Sequence, residues 1–209
     1  MLKTKFKDQS EFDIYLIEQK VRQEKSYLTR SERETLKKMQ EKDYKPTFIK
    51  DKKPKLPIVT NINELKKPCQ EVTKEDNVKE IIQKLKDALE SVGGLGLTAN
   101  QIGINKRISY AKIPKFTNKN KEIQYNEYIL INAKIIEKER PLKVKDERCL
   151  SFPEVYVDTK RYVFCTIEYL NEKMEQQTGM FQDLESLMVQ HECDHQSGIV
   201  IFDRKWRTK

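Results

Sequence analysis

The sequence predicts an α+β fold preceded by a helical, strongly basic segment. Helix-period and strand-like stretches are segregated along the chain and do not strictly alternate, which argues against a doubly wound parallel sheet. Charge is unevenly spread as well: residues 1–56 carry 16 Lys/Arg and 10 Asp/Glu, so they hold +6 of the total +8 and the rest is near balance at +2. With 37% hydrophobic and 35% charged residues, the chain is lean in apolar groups. A core remains affordable because so much of the charge sits in front of it. We therefore divide the chain into a basic, helical extension and linker (1–56) and a globular domain (57–209).

Taken in order, residues 10–43 read as helical, with Phe12, Tyr15, Leu16 and Ile17 on a thin apolar stripe. Ser31 and Glu34 offer a capping box for a second helix there. Residues 45–57 hold three prolines and many lysines, the composition of a linker or extended arm. Residues 79–89 place Ile81, Ile82, Leu85, Ala88 and Leu89 at helical spacing, and the glycine-rich stretch 93–103 breaks that helix. Segments 106–112, 127–136, 154–157 and 161–170 are rich in Ile, Val, Tyr and Phe and read as strands. Residues 119–126 read as an exposed hairpin or loop. Residues 183–196 form a second amphipathic helix, with Leu184, Leu187 and Met188 on one side. No internal repeat is visible.

The opening residues contain no apolar run of signal-peptide length, and no later segment approaches a membrane span. Cys69, Cys149, Cys165 and Cys193 are scattered and form no CxxC pair. We expect reduced thiols in a cytoplasmic protein with no membrane partner, so special cysteine chemistry here means metal binding or catalysis.

The chain has only 2 histidines, and both lie in the word Gln190-His191-Glu192-Cys193-Asp194-His195. Residues four apart share a helix face, so His191 and His195 can bind one metal ion. Glu192, one position on, can act as general base, which is the HExxH arrangement. A surface helix with histidines spaced so by chance is the bland competitor.

A catalytic site of this kind takes three protein ligands and one open position. The residues after His195 include no Glu or His, and Asp203 is their sole acid. The third ligand should come from upstream, and a thiolate suits a reducing compartment. Cys193 lies about 200° round the helix from His191 and so points away. Cys165 sits in a strand-like run and reads as core, and Cys69 has no polar company. Cys149, in DERCLSFP where a strand or loop would end, is the best candidate.

Three words, in order and well spaced, then resemble the peptide deformylase family: Gly94-Leu95-Gly96-Leu97-Thr98-Ala99-Asn100-Gln101, Glu147-Arg148-Cys149-Leu150-Ser151, and Gln190 through His195. The resemblance spans about residues 57–204. It implies mixed or antiparallel strands around a central C-terminal metal-binding helix. It also implies Cys149, His191 and His195 as ligands of one divalent ion, Fe²⁺ in the first instance with Zn²⁺ or Ni²⁺ able to occupy the site. Glu192 would be base and then acid, while Gln101 and the Leu150 backbone N–H would bond the developing oxyanion. Gly94, Leu95 and Gly96 would take an extended substrate backbone, Gly96 allowing the close approach. The substrates implied are N-formylmethionyl nascent peptides, with release of formate. Leu184, Leu187 and Met188 would line a methionine pocket or simply pack in the core.

Arg148 departs from the family by replacing a glycine; it strains the backbone if that position needs a positive φ, and otherwise adds a cation at the rim. Thr98 replaces an alanine and brings a hydroxyl that needs a partner if buried. Glu147 is expected to pair with Arg161 and brace the cysteine loop. The basic extension either contacts ribosomal RNA or is a solvated helical arm. The competing readings are an HExxH metallopeptidase cleaving internal bonds, and a catalytically inactive binding module on the same fold.

Overall fold

A computed structural model describes residues 57–115 and 124–207. The short helix α1 (Ile62–Leu65) and the longer α2 (Val78–Val92) come first. Strands β1 (Gly96–Thr98), β2 (Ile108–Lys115), β3 (Gln124–Glu147), β4 (Val157–Leu170) and β5 (Gln176–Gln182) follow, and then helix α3 (Asp183–Gln196). The strands form one antiparallel sheet in sequence order, with β1 and β5 at its edges. This is the α+β class expected. The expected helices of 10–43, the capping box, the linker up to residue 56 and most of the 119–126 loop lie outside the described residues.

Helix α2 forms where the apolar spacing put it. The Asn77 side chain accepts the Glu80 N–H at its start, and Gly93 at φ 73° turns the chain out in the left-handed conformation. Its buried face, Ile81, Ile82, Leu85, Ala88 and Leu89, packs with Leu97, Ile108, Tyr110 and Ile131 of the sheet. A second cluster (Leu130, Ala133, Cys165, Ile167, Phe181, Val189 and Cys193) joins the sheet to α3. A third (Leu65, Cys149, Phe152, Val157, Val200 and Ile201) closes the end near the C-terminus.

Two strand expectations need correction, and one strand escaped the sequence reading. The 127–136 strand is part of a much longer one, because 137–147 continues through Pro141 in register with β4 despite its charge. Residues 154–156 lie ahead of the strand, in a turn and the irregular stretch after it: Phe152 N–H bonds Cys149 O, Val155 N–H bonds Phe152 O, and β4 starts only at Val157. Strand β5 went unread because it is a polar edge strand in which only Phe181 is buried.

The long β3 serves both β2 and β4 because it bends. Register shifts occur between residues 131 and 134, 135 and 137, and 144 and 147, each a bulge that turns the strand. At the first, Asn132 adopts φ 51°. Its side chain accepts the Val72 N–H at 2.8 Å and donates to the Val72 carbonyl at 2.9 Å.

Helix α3 is the other correction. It is not amphipathic: every residue from 186 to 196 is buried. Burial of so polar a helix requires a partner for each group. Gln190 accepts the Tyr162 N–H and donates to the Tyr162 carbonyl on β4. Gln196 accepts the Ala133 N–H, inside the first bulge of β3, and donates to the Leu130 carbonyl just before it. Two glutamines thus pair the helix to strand backbone as another strand would.

Asn132→Ala should cost about 2 kcal/mol, since it leaves the Val72 groups unmet and keeps a strained φ. Chemical denaturation should show a lower midpoint with an unchanged slope, and Asn132→Gly should recover part of the loss.

Candidate metal centre

Chemistry-bearing residues from four segments meet at the buried face of α3. The helix brings His191, Glu192, Asp194 and His195; β3 ends at Glu147, and the turn after it carries Cys149, Leu150 and Ser151. Strand β4 brings Thr159 and Arg161. Strand β1 and the single 3-10 turn after it (Ala99–Ile102) bring Gly96, Thr98 and Gln101.

Among the described residues, the ligand atoms of Cys149, His191 and His195 all lie within 4.8 Å of one another, and all three residues are buried. Cys149 Sγ is 3.2 Å from His195 Nε2. His191 Nδ1 lies 2.7 Å from Glu147 Oε1. An ionised carboxylate only accepts, so Nδ1 carries the proton and Nε2 is left as the ligand atom. One thiolate and two imidazoles suit a borderline divalent ion, so the donor set fits a metal. Burial above all holds His195 well below the ordinary histidine range, which favours the neutral form that can coordinate. Burial opposes protonation of His191 too, but its bonds to Cys149 and Glu147 outweigh it and raise its basicity well above the ordinary range.

The expected Glu147–Arg161 pair is present and is two-pronged: Arg161 Nη2 donates to Oε1 at 2.6 Å and Nε to Oε2 at 2.9 Å. Thr159 Oγ1 also donates to Oε2. The far side of the guanidinium meets Asp194 Oδ2 at 2.5 Å, and Arg204 closes on Asp194 with two further bonds. Burial alone would raise the Glu147 pKa, but the Arg161 cation and the His191 bond override it and hold the carboxyl far below the usual range. Arg161 is held protonated in the same way, Glu147 and Asp194 outweighing its burial. Asp194, Arg204 and Thr159 were not picked out from sequence. The available signal was a charged residue at inward positions of a strand and of a helix that must be buried.

Glu192 is 1% exposed, and burial raises its pKa against the pull of His191 and a bond from Thr98. A carboxyl moved towards neutrality is what proton transfer in both directions needs. Gln101 is oriented by the Thr98 N–H, which donates to its Oε1 at 2.9 Å; its Nε2 then faces Ser151 Oγ at 3.1 Å and Cys149 Sγ at 3.5 Å. A Cβ on Gly96 would collide with the Glu192 carboxylate, and one on Gly94 would lie 2.8 Å from Leu150 Cδ1. Both glycines therefore permit close packing of β1 on the site. Leu95 is buried beside them, and Leu187 and Met188 are buried while Leu184 is half-buried.

The remaining cysteines fall as expected. Cys193 and Cys165 belong to the core, and burial raises both thiols. Cys69 is buried with its Sγ 3.6 Å from the His195 carbonyl, and burial lifts it to about 11. Asp203 is engaged by Lys66 and the Val200 N–H. Arg148 is not among the positive-φ residues, so no strain arises there; its guanidinium lies over the Tyr156 ring at 5.1 Å, a cation at the rim.

Arg161→Ala would leave Glu147 and Asp194 as uncompensated buried charges, a loss of about 3–5 kcal/mol in stability. By freeing Glu147 from its brace it should also weaken metal binding by about 10–100-fold. Calorimetric unfolding and metal content after dialysis against a graded chelator check the two effects separately.

A family model described as polypeptide deformylase matches residues 56–209. Peptide deformylase 2 of Clostridium perfringens is 39% identical over 142 residues, covering 67% of this chain and 85% of that protein. Peptide deformylase 1 of a Nostoc species is 34% identical over 141 residues, covering 67% of this chain and 73% of that protein. Among solved structures, a Plasmodium falciparum peptide deformylase in complex with an inhibitor superposes with a TM-score of 0.60 at 29% identity, covering 72% of this chain and 89% of that one. With a family match over most of its length and relatives above 30% identity, this chain belongs to the peptide deformylase family.

Proposed function

We propose that this peptide deformylase removes the formyl group from N-formylmethionyl nascent peptides by hydrolysis at the buried centre, releasing formate. What supports the reading is the convergence of Cys149, His191 and His195 beside a buried carboxylate, Glu192, and an oriented amide, Gln101. Cys149, His191 and His195 would hold one divalent ion. Ferrous iron is our choice, and the thiolate–imidazole set also suits zinc or nickel. When bound, the ion supplies Lewis acidity that favours ionised water near neutral pH.

The residues of the chain supply the rest. An extended peptide runs beside the edge strand β1 along Gly94, Leu95 and Gly96, where the two glycines keep the backbone slim against Leu150 and Glu192 and the edge offers backbone groups for strand-like pairing. Leu184, Leu187 and Met188 offer apolar surface for the methionine side chain. Glu192 takes the proton of the attacking water. As the carbonyl carbon becomes tetrahedral, Gln101 Nε2 and the Leu150 N–H donate to the oxygen that gains charge, each donor worth about 2.7–4 kcal/mol. Glu192 then delivers its proton to the departing nitrogen, and a free N-terminus leaves.

Residues 1–56 lie almost wholly ahead of the matched region and carry an excess of +6. We propose that they form a basic extension, a solvated arm in the reading that its interspersed Asp and Glu favour, with contact to ribosomal RNA, which salt would weaken, as the second reading. No helix among the described residues is long and apolar enough to cross a membrane. All four cysteines are free thiols, which suits work in a reducing, cytoplasmic compartment.

Formate release from formyl-Met-Ala-Ser, by protein loaded anaerobically with Fe²⁺, should be readily measured. Glu192→Ala should lose about 10²–10⁴-fold in turnover while keeping its metal; an unchanged rate would remove Glu192 from its role. Deleting residues 1–50 should leave turnover on the short peptide intact, and unaltered salt-sensitive co-sedimentation with ribosomes would dispose of the RNA contact.

A further inference from the structure

Thr98 has its hydroxyl inside the centre, and the hydroxyl has two close partners. Thr98 Oγ1 is 2.7 Å from Glu192 Oε2 and 2.7 Å from Ser109 Oγ on β2. Ser109 Oγ in turn accepts from Gln196 Nε2 at 2.9 Å. None of Thr98, Ser109 and Gln196 is exposed to solvent at all.

The direction of every bond in this chain follows from donor chemistry. A backbone N–H can only donate, and Ala133 N–H donates to Gln196 Oε1 at 3.0 Å. The other end of that amide is therefore its NH₂ group, which donates to the Leu130 carbonyl and to Ser109. Ser109 has one proton left to place and gives it to Thr98. Thr98 gives its own to Glu192 Oε2 in the ionised form, the one that receives a proton from water, because in that form the carboxylate only accepts. The line runs one way, from the bulge of β3 to the carboxylate, and each donated bond polarises the next.

The two carboxylate oxygens are therefore unlike. Oε2 is taken by Thr98. Oε1 lies against Gly96, in space that a Cβ would fill. Thr98, through its backbone N–H, also sets the Gln101 amide.

We propose that Thr98 is a positioning residue. Anchored through Ser109 to Gln196, it fixes the rotation of the Glu192 carboxylate so that Oε1 exchanges protons with the substrate. The proton of the attacking water moves to Oε1 and passes from there to the amide nitrogen as the C–N bond breaks; the Thr98 proton stays on Thr98. This rests on Glu192 being the base, so that assignment is tested alongside.

The experiment compares Thr98→Val, Thr98→Ser and Glu192→Gln, singly and with Thr98→Val and Glu192→Gln combined, in Fe²⁺-loaded protein acting on formyl-Met-Ala-Ser. Iron per chain and thermal midpoint are measured for each. Thr98→Val, which keeps the branched shape and loses the hydroxyl, should lower kcat about tenfold with KM within about twofold and iron content unchanged. Thr98→Ser should restore kcat to within about threefold. In the Glu192→Gln background, Thr98→Val should cost nothing more. Thr98→Ala provides a second hydroxyl-free variant should valine fail to fold. A kcat within twofold of the parent in the hydroxyl-free variant, or a loss that serine does not rescue, overturns the positioning role. Unchanged turnover in Glu192→Gln instead overturns the base assignment, and the positioning role with it.

Discussion

Arg161 places a permanent cation where water scarcely reaches, at 2% exposure, and the chain around it is arranged to answer that charge. Isolated, such an ion would be prohibitively costly to bury. It is met on one side by both oxygens of Glu147 and on the other by Asp194, whose second oxygen takes Arg204. Those contacts tie the end of β3, the middle of β4, the helix α3 and the segment after it. Position follows from charge: Glu147 stands two residues before Cys149, and Asp194 one residue before His195. Holding Arg161 in place therefore aligns the thiol with both imidazoles, and Glu147 completes the arrangement by orienting His191.

The helix that carries this chemistry is buried along most of its length, which a surface helix with one apolar stripe never needs to be. Its polar side chains are spent on the strands around it. Gln190 pairs with the backbone of Tyr162, and Gln196 pairs with the backbone that the β3 bulge leaves open. Geometry of this kind resists rotation of the helix, so the face bearing His191, Glu192 and His195 stays aimed at Cys149. The bulge at Asn132 and the helix register are thus parts of one device, since the irregular strand leaves open the Ala133 N–H that the glutamine satisfies.

On the opposite side, β1 joins the site to a sheet edge. Gly96 leaves space for the Glu192 carboxylate, Thr98 fills the next position with a hydroxyl, and the turn that follows supplies Gln101. A three-residue strand and the turn after it thereby control two polar side chains at the centre, Glu192 and Gln101. Membership in the deformylase family accounts for the general plan. The hydroxyl at position 98, bonded to the Glu192 carboxylate and to Ser109, adds a polar tie between β1, β2 and α3.

The sequence by itself determined the family, the helix of residues 183–196 and the presence of a Cys/His/His set with a neighbouring glutamate. Those signals are local: a 3.6-residue period, a six-residue word, and an absence of acids or histidines after His195. It also held the Glu147–Arg161 pair, because a glutamate beside the expected ligand loop and an arginine inside an apolar strand each need a partner. Tertiary structure alone decided that α3 is buried all round, that β3 runs on through Pro141, and that polar β5 is a strand. Each depends on what lies across from a residue, and period or propensity along the chain carries no record of that. The Asp194–Arg204 bonds and the Gln196–Ser109–Thr98 line are of the same kind. They join groups far apart in sequence whose pairing becomes obligatory only once folding has removed the water that would otherwise have served them.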